Sequence, residues 1–129
     1  MLLLACELEY IHDRIGELSS VDLQNKLWLN RNNNTGRISS YTELMCTLYD
    51  DCFLELVLRK AMEKYGYSSD ALNELYQLNA LLNNYEEPCT NGYIDDELVI
   101  KDSNWQVIVK QAQTVLANWG HIRPLLSQL

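Results

Sequence analysis

No C-x-x-C pair, no G-x-S-x-G, no P-loop and no H-E-x-x-H occurs in these 129 residues. Their absence removes the usual zinc-knuckle, serine-hydrolase, nucleotide-binding and zinc-protease signatures. No run reaches the roughly 18 consecutive apolar residues that a membrane span needs. The opening "MLLLA" is too short for a signal-peptide core, lacks a basic start and soon meets Glu7. A soluble, cytoplasmic protein is expected.

Basic residues are scarce. Ten Lys and Arg face eighteen Asp and Glu, a net charge of −8 with histidine neutral. That sign argues against direct binding of nucleic acid or an anionic membrane, since both need a basic surface. It suits a basic protein partner. The four cysteines, Cys6, Cys46, Cys52 and Cys89, are too scattered for a zinc site. Cys46 and Cys52 would lie about 240° apart on a helix, so a disulfide between them is not expected. Buried free thiols are the expected state.

What the chain does have is apolar content, 47% of its residues, enough for one domain with a real core. Leu4, Leu8, Ile11, Ile15 and Leu18 step at helical spacing, with Glu7, Glu9, Asp13, Arg14 and Glu17 largely off that stripe. Ser19 and Ser20 end this helix and cap a short second one, "SVDLQNKLWL". "NRNNNTGR" (30–37) is a loop. One long helix is predicted from Ser40 to Tyr65, opened by the Ser40/Glu43 capping box and stopped by Gly66. Another runs from about Ser69 to Asn84, with Asn79 on its apolar stripe. The segment "YEEPCTNGYIDDELVIKD" (85–102) is irregular, with a short hairpin or extended arm near 92–100. A last helix, capped by Asp102 or Ser103, carries Trp105, Ile108, Val109, Ala112, Val115, Leu116 and Trp119. Gly120 is expected to end it, and Pro124 to limit anything beyond. The expected fold is all-α: a single helical bundle over 1–129 with about five helices.

Two acidic concentrations stand out. On the predicted long helix Glu43 and Asp50 are seven residues apart and nearly in line, with Asp51 beside them. Met45, Leu48, Tyr49, Cys52 and Leu56 make the opposite, core face. Such acids are either a solvated helix start or a binding edge. In residues 86–102, six acids face Lys101 alone, leaving five of the negative charges there. Tyr85, Glu86, Glu87, Tyr93, Asp95, Asp96 and Glu97 combine aromatic rings with carboxylates, a pairing that binds basic partners. Helix-bundle di-metal centres draw carboxylates from several helices together with E-x-x-H pairs. Here His12 and His121 read as solitary. No cofactor, metal or catalytic residue is expected.

The stretches "SSYTELMCTLYDDCFLE" (39–55), "YIDDE" (93–97) and "DSNWQVIVKQAQTVLANW" (102–119) resemble the small immunity proteins of bacterial contact-dependent growth inhibition and related polymorphic toxin systems. That resemblance implies a non-catalytic antitoxin that binds one cognate toxin domain, commonly a nuclease with a basic cleft. It carries over no set of toxin-contacting residues. A monomer is expected, with a dimer as the alternative. The rival classes are a helical adaptor for a basic protein and a carboxylate metalloprotein.

Overall fold

The computed structural model describes residues 3–129. Met1 and Leu2 of the opening apolar stretch lie outside the described residues. Eight helices and one two-stranded hairpin follow in order: α1 (Ala5–Leu18), α2 (Val21–Leu29), α3 (Tyr41–Cys46), α4 (Leu54–Tyr65), α5 (Asp70–Asn84), β1 (Cys89–Thr90), β2 (Tyr93–Ile94), α6 (Asp96–Lys101), α7 (Ser103–Ala117) and α8 (Trp119–Leu126). The all-α class holds, with more and shorter helices than the pattern suggests.

Helix starts fall where side chains satisfy the first free N–H groups. Ser20, Ser40, Ser69, Asp95 and Asp102 accept from Leu23, Glu43, Leu72, Leu98 and Asn104 respectively. Helix α1 buries Leu8, Ile11, Ile15 and Leu18, each nearly inaccessible, against α7. Leu4 does not join them; it precedes the helix and is exposed. Helix α7 also packs on α5, where the Gln111 Nε2 donates to the Glu74 backbone carbonyl at 2.9 Å.

The predicted long helix is broken. After α3 the Cys52 N–H donates to the Thr47 carbonyl, five residues back, making one π-helical turn over Thr47–Asp51. Phe53 then takes a left-handed conformation, φ 51°. Thr47 supplies a local cause: its buried hydroxyl donates to the Leu44 carbonyl at 2.9 Å, competing with the helical ladder. The break re-aims everything beyond it. Leu54, Val57, Leu58 and Ala61 enter the core, while Leu56 is only half-buried.

Two further corrections concern the C-terminal half. The hairpin spans 89–94, turned by Asn91 and Gly92, both at positive φ (54° and 83°). Asp96–Lys101, expected as hairpin or arm, is instead helix α6. Asn118 rather than Gly120 ends α7, and α8 runs through Pro124 because Ile122 and Leu126 are both fully buried. That burial outweighs the one helical hydrogen bond that proline cannot make.

Only Cys52 is a buried thiol; Cys6, Cys46 and Cys89 are exposed, and all four are free. Burial, then the nearby Asp51 carboxylate, pushes Cys52 up to about 11. Iodoacetamide at pH 8 should alkylate three cysteines of the native protein and the fourth only in denaturant. Mass spectrometry of the adducts checks this, and prompt native labelling of Cys52 would contradict the packing.

Candidate partner-binding surfaces

The acids at 95–97 are committed within the fold. One Asp95 carboxylate oxygen caps α6 through the Leu98 N–H at 3.1 Å, and the other accepts from the Thr90 hydroxyl at 3.0 Å. Asp96 accepts from the Tyr41 backbone N–H at 3.2 Å, at the start of α3. A Glu97 oxygen sits between Arg31 (3.1 Å) and Lys101 (3.0 Å). The electrostatics follow. The Leu98 amide and Thr90 hydroxyl hold Asp95 below its usual value, and Lys101 and Arg31 do the same for Glu97. Both therefore contribute stability above the ordinary carboxylate range, lost as pH falls through their lowered folded values. Asp96 is raised, chiefly by burial, so its contribution has the opposite sign and is lost as pH rises.

Tyr85 is half-buried. Its hydroxyl donates to Asp102 at 2.8 Å, and its ring lies against Trp105 and Tyr41, centroids 5.3 and 6.1 Å apart. Glu87 is half-buried near Tyr41, whose hydroxyl is pushed up to about 12 by burial first and that carboxylate second. Of the expected contact residues in this segment, Glu86 and Tyr93 are exposed, the latter 79%, beside Thr90, Asn91, Gly92, Leu98 and Lys101. Replacing Asp95, Asp96 and Glu97 together would remove a cap and three ties, to Thr90, Tyr41 and Arg31. Glu86 and Tyr93 are the positions that test this loop as a surface.

The other acidic group is free of such duties. Glu43, Asp50 and Asp51 are all exposed, and none has a cation within ion-pair distance among the described residues. Glu43 serves α3 through its backbone alone, its N–H donating to the Ser40 hydroxyl and its carbonyl accepting from the Thr47 N–H. The expected alignment of Glu43 with Asp50 assumed a regular helix, and the π turn intervenes.

Beside this turn, a cavity of about 190 Å³ opens between it and α1. Ile11 and Cys52 form its buried wall and Leu3 contributes from the start of the described chain. Its solvent side is Tyr10, Phe53, Glu7 and Asp51. Phe53 is 57% exposed and Tyr10 38%. An exposed phenylalanine in the left-handed region forgoes burial and carries about 1–2 kcal/mol of backbone strain. The Glu7 carboxylate accepts from the Leu4 N–H at 2.9 Å, which holds it in place at the α1 start.

Two residues escape the periodic reading. Glu17, expected off the apolar stripe, is 1% exposed. One carboxylate oxygen accepts from the Trp28 indole (3.0 Å) and the Ser39 hydroxyl (2.8 Å); the other lies 3.5 Å from Arg14. Gln24, fully buried, accepts from the Trp105 indole at 3.0 Å and donates to the Glu17 and Leu18 carbonyls. The indole N–H groups of Trp28 and Trp105 each needed such a partner, and that need is the signal in the sequence.

His12 is also not solitary. Glu9 and His12 form an E-x-x-H step, and with Asp13 they bring three donor groups within 4.8 Å on one face of α1. The His12 ring packs on Trp119, centroids 5.3 Å apart. All three donors come from a single helix, and the two carboxylates are exposed, unlike a bundle centre enclosed by several helices.

The chain matches no family model, no curated protein and no solved structure.

Proposed function

We propose that this chain is a non-enzymatic, toxin-neutralising immunity protein. It binds a cognate toxin domain of basic, nuclease type through an acidic surface and blocks the active site or access to it. The observation that carries this reading is the Glu43, Asp50 and Asp51 surface. Those carboxylates are exposed, uncompensated by any cation among the described residues, and have no structural duty through their side chains. With a net charge of −8 they produce a field that attracts a basic cleft and can occupy phosphate positions in it.

Exposed aromatic groups flank the acids: Tyr10 and Phe53 on this side, Tyr93 on the hairpin. Rings supply the desolvated centre of an interface while charges at its rim set approach and register. The two acidic regions are connected through the fold, since Asp96 of the second anchors the start of α3 in the first.

The test uses a basic toxin-type domain of the kind this reading expects in a neighbouring gene. Expressed alone in cells it should arrest growth, and co-expression of this chain should restore it. Arrest that continues unrelieved at high levels of soluble chain overturns the reading.

A further inference from the structure

We propose that the cavity between α1 and the π turn is a receptor for one arginine side chain of the partner. This rests on the reading of the chain as a binder of a basic protein, and it names the group recognised.

Size selects the class of occupant. About 190 Å³ is below the roughly 300–1,000 Å³ of ordinary small-molecule sites. It matches a single long side chain. The lining selects its chemistry: apolar contact from Ile11 and Cys52, the rings of Tyr10 and Phe53, and the carboxylates of Glu7 and Asp51 on the solvent side. The chain's own Arg14 guanidinium already lies over the Tyr10 ring, 5.3 Å from its centroid, which leaves Phe53 as the open aromatic. A purely apolar occupant would leave the Asp51 carboxylate, and the Glu7 oxygen not bonded to Leu4, unpaired against it, and an acidic one would meet them directly. A cation on an aliphatic stem satisfies both halves.

Arginine fits better than lysine. Its planar guanidinium stacks on aromatic faces and pairs with carboxylates through a fixed fork, whereas ammonium is a strongly hydrated point charge. Phe53 gains a purpose on this account. Held out by its left-handed backbone, it offers a ring that folding leaves largely uncovered. Cys52, its thiol pushed to about 11, is neutral wall and takes no part in charge pairing.

N-acetyl-arginine methylamide, titrated into the full chain and followed by amide NMR shifts, tests the proposal without any toxin. Saturable shifts should centre on Tyr10, Asp51 and Phe53. The lysine counterpart should bind at least threefold more weakly, and the citrulline counterpart, isosteric and uncharged, should not bind measurably. Asp51→Asn should weaken the arginine response at least threefold while leaving the rest of the spectrum unchanged. Equal responses to arginine and citrulline, equal responses to arginine and lysine, or shifts spread over all acidic surfaces would each overturn it. Arginine binding in a chain that fails to relieve growth arrest would remove the immunity function and leave the receptor. Protection without arginine binding would do the reverse.

Discussion

Glu17→Ala is expected to cost about 3–5 kcal/mol of folding stability, since it removes one partner of a buried ion pair and leaves the other unmatched. The carboxylate is 1% exposed and holds three groups from separate places: Arg14 on its own helix, Trp28 on α2 and Ser39 before α3. Without it the indole and the hydroxyl lose their acceptor, and the Arg14 guanidinium, 12% exposed, loses its only opposite charge among the described residues. In thermal unfolding the midpoint should fall by about 10 °C or more for a domain of this size. Glu17→Gln keeps an acceptor for Trp28 and Ser39 and should lose distinctly less. A double variant with Arg14→Ala should be less damaged than the sum of the singles, because the stranded charge is gone. An alanine variant within 1 kcal/mol of the parent would show that the pair does not help hold α1, α2 and α3 together.

The second large effect concerns association. Reversing Glu43, Asp50 and Asp51 to lysine moves the net charge from −8 to −2 and replaces the uncompensated surface with a basic one. If the proposed function holds, association with the toxin domain at low salt should slow by about 10-fold or more, within the range over which steering acts. The difference should shrink as salt rises, because the screening length falls from roughly 10 Å at 0.1 M to about 3 Å at 1 M. Unfolding measurements should show little change, since these side chains make no tertiary contacts through their charges. Stopped-flow association across a salt series measures this. Rates equal to the parent at low salt would move the docking face elsewhere, with Glu86 and Tyr93 the next positions to reverse or truncate.

Where local chemistry and burial agree, residue spacing identifies elements well. Helix α5 begins after Ser69 and α7 after Asp102, as their caps dictate, and the α7 stripe from Trp105 to Val115 is buried throughout. The loop at 30–37 and the exposure of Asp50 and Asp51 were equally legible. The break at 47–53 was not, because it contains neither glycine nor proline and the helical period runs straight across it. Its cause joins a local bond, Thr47 to the Leu44 carbonyl, with the burial of Thr47 and the strained backbone at Phe53. Helix α6 hid for a different reason. An acid that caps a helix looks, in sequence, like an acid that faces solvent, so Asp95 at the α6 start resembled free charge. The Asn91-Gly92 pair just before it is a strong hairpin turn signal that places the strands at 89–94. Glu17 illustrates the general difficulty. A charged residue beside an apolar stripe is assigned to solvent by periodicity, and only the unmet needs of Arg14 and Trp28 pull it inside.

The bond between Trp105 and Gln24 has a consequence for synthesis. It joins residues 81 positions apart, and α1 rests on the same late helix, α7. Ribosomes add about 5–20 residues each second, so α1 and α2 wait on the order of 4–16 s before the surface that covers them exists. Helices form within about a microsecond. For that whole interval Leu8, Ile11, Ile15 and Leu18 lack α7 and have only α2, α3 and the π turn to pack against. The nascent chain is therefore most exposed to misassociation in the interval before α7 emerges.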